Sequence, residues 1–327
     1  MEVNSQFYMN LALQDAWRYQ FLTYPNPPVG ALLRDKNGDI IAIESHKKAG
    51  SPHAEVEVFK QAYAKLSGKD EILKLEDSSE IHQYLYNNHN GIFYDTTLYV
   101  TLEPCNHYGK TPPCSELIKK LKPKKVYIGS KDKKNGGEEE LIKSGILVES
   151  GVLKQKCDDL LEPFLFWSEE RFILFKIAQR LDGSIDGGYI SSQDSLSLVH
   201  KIRDKIDLLL IGGNTIRIDK PTLDARYCNG KAPNLLIFST KDDFDRTIPL
   251  FNIKNRDVTI SDKINFNDNQ KFIMVEGGEG VLKHTKNMIH WDMTIISLNR
   301  KTGFTPHIDI KNKLIHFYSL GSDIILF

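Results

Sequence analysis

The two cysteines in "TLEPCNHYGKTPPCSELI" (residues 101–118) constrain this chain more than any other feature. Cys105 and Cys114 each follow a proline and stand nine positions apart, with eight residues between them. The chain of 327 residues holds only four cysteines, the others being Cys157 and Cys228. Disulfide scaffolds are short and cysteine-dense, so free thiols in a reducing, cytoplasmic setting are expected. Two thiols fixed close together there are more often metal ligands than a bridge. Taken alone, the pair is better read as two half-buried structural cysteines. A second stretch shifts that balance.

That stretch is "SPHAEVEVFKQAYAKL". Val56, Phe59, Tyr63 and Leu66 recur at helical spacing, which predicts a helix from about Ala54 with His53 and Glu55 in its first turn. "TTLYVTLEP" alternates like a half-buried strand and ends at Pro104-Cys105, while Pro112-Pro113 leads Cys114 into the helix "SELIKKL". A following strand, "KKVYIGS", completes a β-α-β unit. Upstream, "QFYMNLALQDAWRYQF" has helical spacing, and "VGALLRDKNGDIIAIES" reads as a hairpin around Asn37-Gly38. Helix starts carry unpaired N–H groups and the positive end of the dipole, which favour thiolate over thiol. One imidazole and two thiolates would leave a tetrahedral zinc with one open position, the catalytic rather than the structural pattern. Zinc lowers the pKa of a bound water to about 7, and Glu55 is placed to move its proton without binding the metal. H-x-E followed by P-C is the zinc-deaminase pattern, although here the second gap is eight residues instead of two.

Composition excludes more than it selects. Lys plus Arg equals Asp plus Glu, giving a formal net charge of zero, so no electrostatic argument favours nucleic acid or an anionic membrane. No apolar run approaches the roughly 18–20 residues needed to span a bilayer. The opening "MEVNSQFYMN" lacks the basic and apolar regions of a signal peptide. Single cores rarely grow past about 250–300 residues, so two domains are expected.

The stretches "PNPPVGA", "HKKAGSPHAEVEVF" and "YVTLEPCNHYGKTPPCSELI" closely resemble the deaminase half of the bifunctional riboflavin-biosynthesis deaminase/reductases, in which the eight-residue spacer is usual. The resemblance implies that His53, Cys105 and Cys114 bind Zn²⁺ and that Glu55 shuttles protons. It implies that Asn26, His46, His107 and Lys110 hold the substrate, with Lys110 opposite a ribose phosphate. Asp132 and Asn135, in "SKDKKNGGEEE", match the family's next substrate loop loosely. Residues 66–94, where the family has a short loop, read as a polar surface excursion with His82 and His89 playing no role.

In the second half, "GVLKQKCDDLLEPFLFW" predicts a linking helix, on which Cys157 is expected simply to pack, and "RFILFKIAQRLDGS" a strand and turn. "DLLLIGGNTI" and "KFIMVEGGEGVL" are apolar runs ending in Gly-Gly, which lets backbone N–H groups approach a phosphate. Neither is a G-x-G-x-x-G fingerprint. "KIAQRLDG", "HKIRDKIDLLLIGGNTIRIDKPTLDAR" and "VEGG" resemble, in order, the reductase half of the same family. That resemblance places Arg203, Arg226 and Glu276 around the substrate, and Ala178, Thr215, Asp219, Gly277 and Gly278 around NADPH. The chain departs from the family at Arg180, where serine is usual. The loop at 184–193 is short and offers Tyr189 for the usual tryptophan, and Asn299-Arg300 stands where Ala-Pro is usual.

The fold expected is therefore α/β, with a cytidine-deaminase-like three-layer α/β/α domain (1–150), a linking helix (151–170) and a dihydrofolate-reductase-like α/β domain (171–327). The partner expected is a small phosphoribosyl-pyrimidine, with no nucleic acid and no membrane, and a homo-oligomer is compatible with the chain. Two rivals stay open: an active deaminase with a non-catalytic second half, and a structural zinc module in an interaction protein. The open fourth metal position and Glu55 argue against the latter.

Overall fold

Two apolar runs joined by a tight turn start the first sheet. A computed structural model describes residues 4–109, 111–186, 188, 190–298, 305 and 313–327. The chain divides into two units, Met1–Phe164 and Leu165–Phe327. In the first, the elements run α1 (Ser5–Trp17), β1 (Gly30–Arg34), β2 (Ile40–Ser45), α2 (Ala54–Ser67), α3 (Ser78–Asn88), β3 (Thr97–Leu102), α4 (Cys114–Leu121), β4 (Lys125–Ser130), α5 (Glu138–Lys143) and β5 (Leu147–Ser150). A last helix, α6 (Lys154–Glu169), runs through the point of division.

The five strands lie in the order β2-β1-β3-β4-β5. β1 pairs antiparallel with β2 and β3, while β3, β4 and β5 are parallel, as the β-α-β reading requires. One face carries Ala31, Leu33, Leu98, Val100, Val126 and Ile128 against apolar residues of α2, α3 and α4. Tyr99, which alternates to the opposite face, stacks on Tyr8 of α1 with ring centroids 5.1 Å apart. Helices on both faces make three layers. The α1 layer sits close: a Cβ on Gly30 would stand 2.1 Å from the carbonyl oxygen of Ala12, so only glycine permits the approach.

Residues 66–94 are not a surface excursion. A 3₁₀ turn at Asp70–Lys74 leads into α3, capped by Asp77, whose side chain accepts from the backbone N–H groups of Ser79 and Glu80. Ile72, Ile81, Leu85 and Phe93 are fully buried in the core shared with α2 and α4. His82 is buried too, and neither ring nitrogen has a hydrogen-bond partner among the described residues.

The second unit contains β6 (Phe172–Arg180), α7 (Gln193–Arg203), β7 (Leu208–Gly212), α8 (Gly213–Asp219), β8 (Asn234–Phe238), β9 (Val258–Ser261), β10 (Phe272–Glu276), α9 (Glu279–Thr285), β11 (Trp291–Ser297), β12 (Phe317–Leu320) and β13 (Asp323–Leu326). Its sheet runs β12-β13-β11-β6-β10-β7-β8-β9, parallel from β11 to β9 with an antiparallel β12–β13 hairpin at one edge. β10 is buried at every position, as expected of a parallel strand covered on both faces. The α/β expectation holds for both units. No helix among the described residues is long and apolar enough to cross a membrane.

Candidate active sites

The first site forms where α2 and α4 begin. His53 is the N-cap of α2 with extended backbone angles, and its side chain makes no capping bond, which leaves the ring for the site. Cys114 opens α4 behind Pro113. Cys105 lies just past the end of β3, where its carbonyl accepts from Ser115 N and its sulfur accepts from Cys114 N at 3.4 Å. His53 Nδ1 stands 3.3 Å from Cys114 Sγ and 3.7 Å from Cys105 Sγ, and the three donor atoms lie within 4.8 Å of one another. Tetrahedral zinc, with bonds of about 2.0–2.1 Å to nitrogen and 2.3 Å to sulfur, sets an N···S separation of about 3.6 Å. The donor set and its spacing fit zinc.

The charges around this cluster are unequal. Cys105 is drawn down to about 4, chiefly by its hydrogen bond with Cys114 and against the effect of burial. The same bond, with burial, pushes Cys114 well above the usual thiol range. Burial lowers His53, but the Cys105 bond and the charges of Glu55 and Cys105 outweigh it, so the ring is raised overall. Glu55 is buried, and burial pushes its carboxyl up to about 7.

Asn26 and His46 meet beside this cluster. His46 is buried, its ring edge-on to that of His53 with centroids 5.5 Å apart. Its Nδ1 lies 3.1 Å from the carbonyl of Pro52, which can only accept, so Nδ1 carries the proton. Nε2 must then accept from Asn26 Nδ2, at 3.2 Å. That fixes the Asn26 amide and leaves Oδ1 as its acceptor. Burial lowers His46 to about 4, keeping the ring neutral.

The spacer follows a different pattern. His107 is exposed on it, and Lys110 lies outside the described residues. Asn106 N donates to the Asn135 carbonyl, and Asp132 Oδ1 accepts from the backbone of Lys134 and Asn135. The Glu103 carboxylate fastens this 132–138 segment by accepting from Asp132 N and Glu138 N. Asp132 and Asn135 thus shape the loop beside Cys105, which bridges to Gly136.

The second site is a cavity of about 1340 Å³ outside the carboxyl ends of the parallel strands, the usual ligand position in such sheets. Ala178, Thr215, Asp219, Gly278, Arg203 and Arg226 all line it. Glu276 closes β10, with Arg203 bidentate on it at 2.8–3.0 Å and Lys176 at 3.7 Å. Burial raises Glu276, but the two cations more than offset this and hold it below the ordinary range. Gly277 has φ +145°, and a Cβ there would meet Val281 at 2.7 Å. Arg226, half exposed, pairs with Asp224 at 2.9 Å. Burial raises Asp219. Tyr189 and Asn299-Arg300 lie outside the described residues. The sequence reading missed Lys176 and His200 as wall residues. For Lys176 a signal exists: one lysine in the apolar strand "FILFKIA".

Residues 2–130 match the cytidine and deoxycytidylate deaminase zinc-binding region, and residues 171–318 match the RibD C-terminal domain. Fold and sites together define a class in which a zinc-binding, deaminase-type domain precedes a reductase-type domain. The riboflavin biosynthesis protein RibD of Aquifex aeolicus is 35% identical over 231 residues, covering 67% of this chain and 57% of that protein. RibD of Bacillus amyloliquefaciens is 32% identical over 248 residues, covering 72% and 59%. The alignments therefore span less than two thirds of these relatives. A solved deaminase/reductase structure from Thermotoga maritima is 25% identical, covers 98% of this chain and 97% of that chain, and superposes with a TM-score of 0.63. The chain belongs to the RibD family.

Proposed function

We propose that this chain carries out two successive steps of riboflavin biosynthesis. The first is deamination of 2,5-diamino-6-(5-phosphoribosylamino)pyrimidin-4(3H)-one, and the second is NADPH-dependent reduction of the product's ribosyl group to ribityl. We assign the deaminase to residues 1–150, a linking helix to 151–170 and the reductase to 171–327. When bound, zinc lowers the pKa of a coordinated water to about 7, and NADPH supplies a hydride.

The chain's own residues do the rest. His53, Cys105 and Cys114 hold the metal, and Glu55 takes a proton from the attacking water and returns it to the departing amino group. Asn26 Oδ1 receives a substrate N–H, in an orientation that His46 fixes. His107, Lys110, Asp132 and Asn135 border the substrate on the spacer side. In the second unit Arg203, Arg226 and Glu276 lie around the substrate, with the arginines suited to its phosphate and Glu276 holding Arg203. Ala178, Thr215, Asp219, Gly277 and Gly278 border the cofactor. Four free cysteines accord with a cytoplasmic setting.

The observation that carries this reading is the His53–Cys105–Cys114 donor set with a buried Glu55 beside it. Incubating the zinc-loaded protein with the diaminopyrimidine substrate should release ammonia, and adding NADPH should then give the ribityl product. Absence of ammonia release with full zinc would refute the deaminase, and absence of NADPH oxidation on the deaminated intermediate would refute the reductase.

A further inference from the structure

Arg180 ends β6 and is only 5% exposed, whereas a buried arginine is ordinarily paired with a carboxylate. Its Nη1 instead donates to the Asp186 carbonyl at 2.7 Å and to Ser184 Oγ at 3.3 Å. Asp182, whose carboxyl feels the charge of Arg180, accepts from Ser184 N and Oγ. The backbone alone already closes this turn, because Arg180 N donates to Ser184 O and Gly183 N donates to Arg180 O. The guanidinium therefore adds its constraint beyond the hairpin, on Ser184 and Asp186.

What it constrains is a wall of the second cavity. Ile185 and Asp186 line that cavity, as does Gly278 from the turn after β10. Ile185 Cδ1 lies 3.5 Å from where a Cβ on Gly278 would project, so the segment spans from the end of β6 to that glycine turn. A burial of this kind is costly for a cation, and here its hydrogen bonds go to the segment that forms one wall of the pocket.

We propose that Arg180 is a positioning residue for the cofactor, fixing residues 184–186 at the spacing from Gly278 that NADPH requires. This rests on the reading of the cavity as an NADPH site. The full chain would be titrated with NADPH by fluorescence as wild type, Arg180→Met and Arg180→Lys, with ammonia release and the melting temperature followed alongside. Losing hydrogen bonds to a charged group should weaken NADPH binding about tenfold or more in Arg180→Met. Arg180→Lys, which can still donate to the Asp186 carbonyl, should recover most of the affinity, and ammonia release should be unchanged in both. A merely structural role would lower the melting temperature and leave the Kd alone. If Arg180→Met does not fold, Ile185→Ala removes the contact with the glycine turn and should weaken NADPH several-fold. The proposal falls if folded Arg180→Met binds NADPH within twofold of wild type, if the lysine variant is as impaired as the methionine variant, or if Ile185→Ala leaves the Kd unchanged. A wild type that binds no NADPH would instead overturn the cofactor reading, and this proposal with it.

Discussion

A carboxyl that must accept a proton and give it back within one turnover works best with a pKa near the working pH. Burial brings Glu55 there, to about 7. Glutamine is nearly isosteric but cannot carry the proton, and Glu55 is not among the three grouped donor residues. Glu55→Gln should therefore keep its zinc, measured by metal analysis, while ammonia release falls about 10²–10⁴-fold. A variant close to wild-type rate would show that another group moves the proton. The cysteines divide in the same way. Cys105→Ser or Cys114→Ser should lose or weaken the metal, because each removes a soft ligand from a set of three. Cys157→Ser and Cys228→Ser should retain it, since neither belongs to the donor set. These residues were legible in the sequence because motif and chemistry coincide: an imidazole and two thiols, each at a predicted helix start or strand end. For His46 the sequence offered only a substrate contact implied by resemblance. Only the geometry reveals that both its nitrogens are engaged, one on Pro52 and one on Asn26.

At the scale of elements, α3 is where the sequence reading failed. "DSSEIHQYL" carries a capping residue, Asp77, and an i, i+4 apolar pair, Ile81 and Leu85, both ordinary helix signals. They were outweighed by the polar residues around them, of which Ser79, Glu80 and Gln83 face solvent while Ser78, His82 and the apolar pair are buried. Deciding which face is buried needs the neighbours, and those are α2 and α4, the helices that position His53 and Cys114. Leu85→Ala should therefore cost about 2–5 kcal/mol of stability, the usual range for a fully buried leucine, read by denaturant unfolding of the zinc-loaded protein. A cost below about 0.5 kcal/mol, typical of surface sites, would return this segment to the status of a surface excursion. The strands were easier to read, β1 with β2 from Asn37-Gly38 between two apolar runs and β3 with β4 from the helix between them, although β3, expected half-buried, is buried along nearly its whole length. In the second unit the buried parallel strands also stood out, as apolar runs. Lys176 left its signal in such a run, as the one charge among apolar residues, but the sequence alone does not say what that charge faces.

On the scale of the whole molecule, the two sites share no residue: His53, Glu55, Cys105 and Cys114 lie in the first unit, and the cavity walls lie entirely in the second. None of the described side chains that line the cavity is a cysteine, and the chemistry proposed there needs a cation wall and a hydride donor rather than a metal. Removing zinc should therefore separate the two activities. Treating the protein with a strong chelator, then removing the chelator, should abolish ammonia release from the diaminopyrimidine substrate. NADPH oxidation on the separately supplied deaminated intermediate should stay within about twofold of the untreated rate, and zinc added back should restore deamination. The reciprocal arm uses Arg226, which faces the cavity and is tied only to Asp224 among its described ion pairs. Losing one hydrogen bond to a charged group costs about 1.5–3 kcal/mol, so Arg226→Ala should raise the KM for the deaminated intermediate roughly ten- to a hundredfold and leave ammonia release unchanged. Both arms are read in the same two assays. Loss of NADPH oxidation on chelation, with the melting temperature unchanged, would mean that the metal serves the second chemistry as well, and the division of labour argued from the two separate residue sets would be wrong.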